Sequence, residues 1–156
     1  MMMLLLACAV GKEAVLYTVE ELQAEIEGYE DWAQPAGWGG AVPSCDGTHG
    51  PYVEIWYNAV TLQALSAGEP TMPEGAILVK QAYSEKKKKK TSMTTMRKVA
   101  GFAPDEGDWF WGTFDADGTA LNSGAISGCT GCHAASDQDF LMFPDSPVVV
   151  DPADCP

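Results

Sequence analysis

Positive charge is scarce in this 156-residue chain: nine Lys and Arg stand against 22 Asp and Glu, a net charge of −13. That deficit argues against nucleic acid and anionic membrane surfaces as partners, since both repel an acidic protein. It fits a macromolecular partner that presents basic residues, although solubility alone explains the acidity equally well. Long hydrophobic runs are also missing. No stretch beyond the first residues approaches 18 uninterrupted apolar positions, so none reads as a membrane span. Four long helical patterns are absent, which argues against a four-helix bundle. Histidine occurs only at His49 and His133.

One of those histidines closes Cys129-Thr130-Gly131-Cys132-His133, whose form C-x-x-C-H is the attachment signature of c-type haem. Two thiols at this spacing add to the two haem vinyl groups. The adjoining imidazole is then held beside the iron as its proximal axial ligand. At this chain's Cys and His frequencies, chance would supply roughly 0.002 such pentapeptides. Two other readings of the cysteines are weaker. A zinc site needs two further ligands, and His49 has only Cys45 near it. A redox dithiol belongs after the first strand of a βαβ unit, not near the end of a Gly-rich chain.

Three cysteines remain. Cys8 closes Leu5-Leu6-Ala7-Cys8, which looks like a lipobox, so residues 1–15 read as a residual leader and Cys8 as a lipid anchor. Met1 to Ala7 lacks a basic n-region and is short for a leader, so the start is expected upstream or within the signal. Export fits the haem motif, because bacterial c-type haem is attached on the periplasmic side. Cys45 and Cys155 are then an even pair, either a disulfide or two unpaired thiols. Residues 16–156 read as a single domain, large enough to bury a core around a cofactor.

Thr18-Val19-Glu20-Glu21 has the form of a capping box, and Leu22, Ile26 and Tyr29 recur at helical spacing, so a helix is expected over 19–33. Residues 34–48 hold Pro35, Gly37, Gly39, Gly40, Pro43 and Gly47, and read as a loop. Strands are expected over 52–58, 76–83, 92–100, 109–114 and 119–123, with a short helix over 60–67 ending at Gly68. The five lysines from Lys86 to Lys90 read as a solvated hairpin connection, with a docking patch as the alternative. The sum is an α+β fold: a mainly antiparallel sheet, an N-terminal helix and short helices around a C-terminal haem motif.

A late C-x-x-C-H on a β-rich chain does not fit ordinary electron-transfer cytochromes, which carry the motif early and a methionine ligand far downstream. Only 23 residues follow His133, with Met142 their sole methionine. No sixth ligand is evident, so the iron is expected to be open on one side. The chain resembles the cytochrome P-460 family over roughly residues 50–143. Four ordered segments carry the resemblance: 52–58; Pro73-Glu74-Gly75-Ala76-Ile77-Leu78-Val79-Lys80; Gly107-Asp108-Trp109-Phe110-Trp111; and Cys129 to His133, followed by a polar stretch and Phe140.

The resemblance implies a homodimer and a five-coordinate haem c in the periplasm. It also implies a covalent bond between Lys80 and a haem meso carbon. Read from the residues alone, Lys80 interrupts an apolar run and is equally an edge-strand lysine facing solvent. Where the family's hydroxylamine oxidase has a distal arginine this chain has Trp56, and its distal carboxylate falls near Met93. His49 is a further distal candidate. Two functions follow from the resemblance: oxidation of hydroxylamine or a related nitrogen oxide with electrons passed to an external acceptor, or nitric oxide binding without turnover, as in cytochromes c′-β. Trp109, Phe110 and Trp111 read as core and haem-packing residues, and Met93 and Met96 as core fillers.

Overall fold

In the computed structural model, which describes residues 15–36, 39–44, 48–84 and 88–142, the chain forms one antiparallel meander. Its strands are β1 (Val42–Pro43), β2 (Tyr52–Tyr57), β3 (Ile77–Tyr83), β4 (Lys90–Lys98), β5 (Trp109–Asp115) and β6 (Ala120–Gly124), paired in sequence order. Three helices accompany them: α1 (Val19–Glu25), α2 (Ala59–Ala67) and α3 (Ser127–His133). The architecture is the expected α+β class with its N-terminal helix. Among the described residues no helix is long and apolar enough to cross a membrane.

Both faces of the central strands are covered, because side chains alternate between faces along a strand. On one face Tyr57, Leu78, Met96 and Trp111 lie side by side on β2 to β5 and belong to one core cluster. The next row on that face is Ile55, Lys80, Thr94 and Thr113. On the other face Ile77, Val79, Met93, Phe110 and Phe114 pack with Leu22 and Ile26 of α1 and its C-cap. Polar groups buried there find partners, as burial requires. Tyr83 Oη donates to Glu54 at 2.6 Å, and Tyr29 Oη donates to Gln81 at 3.0 Å.

Several boundaries differ from the sequence expectation. The capping box forms, with the Glu21 carboxylate accepting from Thr18 N at 2.8 Å. The helix nevertheless stops at Glu25, well short of residue 33. Gly28 takes φ +72, a left-handed turn that ends the helix, and Tyr29–Asp31 form a single 3-10 turn. The loop over 34–48 contains the short β1, which pairs with β2 and is too brief to show a period. β4 occupies Lys90–Lys98, two residues earlier than expected at each end. Lys90 therefore belongs to the strand, where its ammonium pairs with Glu30 at 2.5 Å. Lys86 and Lys87 of the lysine run, the leader with Cys8, and both Cys45 and Cys155 lie outside the described residues.

Close approach of α1 to the sheet depends on Gly112 of β5. A Cβ there would lie 2.8 Å from Leu22, 2.7 Å from Thr95 and 2.9 Å from the Phe114 ring. Gly112→Ala is expected to destabilise the fold by about 1–3 kcal/mol through overpacking, read by urea denaturation. An unchanged midpoint would show that α1 is not tightly seated.

Candidate haem-binding site

A cavity of about 380 Å³ opens on the face that carries Lys80, within the roughly 300–1,000 Å³ range of cofactor sites. Ile55, Leu78, Lys80, Thr94 and Trp111 line it from the sheet, and Cys129, Cys132 and His133 line it from α3. His49, in the turn before β2, also borders it.

The α3 helix explains why these donors converge. Cys129 and Cys132 are three residues apart, hence neighbours on one helix face. Both thiols are unbridged. Burial, with a smaller contribution from Cys132, raises the Cys129 pKa and keeps it a thiol at neutral pH. Thr130 Oγ1 donates to Glu106 at 3.1 Å and ties the helix to the turn before β5. His133 is buried. Its Nδ1 lies 2.7 Å from the Phe140 carbonyl oxygen, which can only accept, so Nδ1 carries the proton. The neutral ring then holds its lone pair on Nε2, the nitrogen that can ligate a metal.

The carbonyl that fixes this ring is itself held in place. Asp139 and Phe140 have φ of +46 and +66, left-handed values that non-glycine residues adopt only under constraint. Asp139 supplies the constraint. Its carboxylate accepts from Met72 N at 2.6 Å and from Lys98 Nζ at 2.8 Å. Its own carbonyl accepts from Trp109 Nε1 at 2.9 Å. The Asp139 and Lys98 side chains are only 5% and 12% exposed, so this is an interior ion pair. Gly107 makes room beside it: a Cβ there would sit 2.5 Å from the Phe140 ring.

These residues fit a c-type haem: two thiols on one helix face, an imidazole with Nε2 set to ligate, and a largely apolar wall. Trp111, which lines the cavity, adds an independent sign: among the described residues its Nε1 is a buried donor with no hydrogen-bond partner. Buried donors are rarely left so. A bare metal site fits less well. Among the described residues no group of three or more His, Cys, Asp or Glu is placed to hold an ion.

The structure brings Lys80, Cys129, Cys132 and His133 to one cavity. It does not bring Trp56 or Met93, so neither fills the distal position that the family alignment gives it, and Met93 is the core filler its residue type suggests. Trp56 faces the other side of the sheet, edge-on to Tyr29 at 5.1 Å, and Met93 packs in the core cluster that contains Leu22. Their neighbours Ile55 and Thr94 face the cavity instead. His49 does reach it, with Nδ1 3.3 Å from Thr94 Oγ1. The sequence reading missed Asp139 and Lys98. Lys98 is in phase with Thr94 and Met96 along β4, which would have marked it as inward-facing.

The family described as Cytochrome P460 matches residues 26–143 of the chain. No curated protein matches it.

Removing the Asp139 carboxylate strands the Lys98 ammonium in a mostly buried position. Asp139→Ala should therefore destabilise the protein by about 3 kcal/mol, the low end for a buried pair. A change under about 1 kcal/mol in urea denaturation would class the pair with ordinary surface bridges.

Proposed function

The chain belongs to the cytochrome P460 family and is a c-type haem cytochrome, and on that premise we propose that it oxidises hydroxylamine or a related small nitrogen oxide at the haem iron. The observation that carries the proposal is the shared cavity of Lys80, Cys129, Cys132 and His133. When bound, haem supplies a redox-active iron that takes a small ligand and exchanges electrons with it.

The chain's own residues hold and tune that group. Cys129 and Cys132 attach it, each S–H adding across a vinyl double bond so that one C–S and one C–H bond form without an oxidant. His133 offers Nε2 to the iron, and its Nδ1–H bond to Phe140 raises the basicity of the ring. Lys80 is the covalent tether to a ring carbon. That C–N bond replaces one N–H and one C–H, a two-electron oxidation requiring an oxidant of the peroxide or dioxygen class. Electrons taken from the substrate leave to an external acceptor. Periplasmic location, a lipid anchor at Cys8 and a homodimer are part of the same proposal, supported by the Leu5-Leu6-Ala7-Cys8 segment and the family resemblance.

A second reading rests on a specific observation. Among the described residues no Asp or Glu lines the cavity. Oxidising an N–O substrate releases protons, and a carboxylate is the natural base to take them. A cavity without one favours nitric oxide binding without turnover.

Lys80→Ala separates the two. With the tether, the wild-type ferrous Soret band lies far to the red of an ordinary c-type haem. The variant should return to the ordinary position, keep its thioether-bound haem and lose most hydroxylamine turnover. Tryptic mapping of the wild type should recover the Lys80 peptide joined to the haem peptide. An unjoined peptide, an unshifted Soret band and no turnover would leave nitric oxide binding as the function.

A further inference from the structure

We infer that Asp139, which does not line the cavity, is a positioning residue that sets how strongly His133 donates to the haem iron. It acts through the Phe140 carbonyl. The inference rests on the haem reading above and adds a means by which the fold tunes that site.

The chain of contacts is short. His133 Nδ1 donates to the Phe140 carbonyl at 2.7 Å, the short end of the range for such a bond. An imidazole that shares its proton at one nitrogen is a more basic ligand at the other. A more basic ligand stabilises ferric over ferrous iron, so this bond holds the reduction potential down. Its strength depends on where the carbonyl points, which the backbone angles of Phe140 decide.

Those angles belong to a turn that its own residues do not favour. Gln138 to Leu141 has the form of a type I′ turn: φ is +46 at Asp139 and +66 at Phe140, and Leu141 N donates to the Gln138 carbonyl at 2.8 Å. Such turns take Gly, Asn or Asp at both central positions. Asp139 suits the first, whereas Phe140 brings a bulky side chain to the second.

Support comes from elsewhere in the chain, and every part of it reaches Asp139. Met72 N, Lys98 Nζ and Trp109 Nε1 donate to this one residue from 67, 41 and 30 positions away. The Trp109 bond goes to the Asp139 carbonyl, in the central peptide of the turn. That peptide would have to rotate for the turn to change type. The other two bonds hold the carboxylate, which fixes the residue in the interior. Loosening any of them frees the turn to relax and draws the Phe140 carbonyl off Nδ1.

The test uses the haem-loaded protein. The iron–histidine stretching band in the ferrous resonance Raman spectrum reads the bond to His133 directly, and a loss of global stability alone does not move it. Asp139→Asn keeps the left-handed preference and removes the charge; it should lower the band and raise the reduction potential. Lys98→Met removes the opposite charge and should move both readings the same way, whereas a simple field effect of losing a cation would lower the potential. Trp109→Phe removes the third support without touching either charge and should also lower the band, so the result does not depend on one variant folding. An unchanged band in haem-bearing variants overturns the inference and leaves the haem reading intact. Potentials that then moved in opposite directions for Asp139→Asn and Lys98→Met would assign the ion pair a field effect alone. Absence of covalent haem in the wild type overturns the reading beneath it.

Discussion

The hydrogen bond from His133 Nδ1 to the Phe140 carbonyl is the constraint on which the chemistry of the cavity depends. It decides which imidazole nitrogen carries the proton and therefore which one faces a metal. The bond exists because the chain turns back after α3 through two left-handed residues, a conformation that would relax without support. Asp139 provides the support by joining the segment before β3, the end of β4 and the indole of Trp109. A local motif is thus tied into the sheet by an interior ion pair, and the orientation of one ring is inherited from three distant parts of the chain.

The alternation of the strands does the remaining sorting. One face of β2 to β5 gives its apolar side chains to α1 and closes against it, so that a Cβ at Gly112 would lie 2.8 Å from Leu22. The other face gives Ile55, Leu78, Lys80, Thr94 and Trp111 to the cavity. Aromatic bulk at Trp109 and Trp111 fills the base of that face, and the Lys98 ammonium lies 5.0 Å from the Trp109 ring. The sheet therefore acts as a partition, with a packed structural side and a side left concave for a cofactor.

How far this was legible in the sequence depends on the range of each interaction. Cys129, Cys132 and His133 could be read directly, because attachment chemistry is encoded in five consecutive residues. β2, β3 and β5 announced themselves through dense aromatic and β-branched residues. The end of α1 did not, since the apolar period of Leu22 and Ile26 runs on past the point where Gly28 turns the chain. Trp56 failed as a distal candidate because a shift of one residue on a strand exchanges the faces, whereas Met93 packs in the core as its residue type suggested. Asp139 was hidden for a different reason. Its partner Lys98 is 41 residues away, and nothing local marks an acidic residue in a polar stretch as an interior anchor.

The central claim is that this cavity holds a haem fixed by Cys129 and Cys132. Intact-mass measurement under denaturing conditions tests it most directly, on wild-type protein made with a cytochrome c maturation system. The account predicts a chain heavier by one haem, which acid extraction does not remove. A chain at its bare polypeptide mass would contradict it.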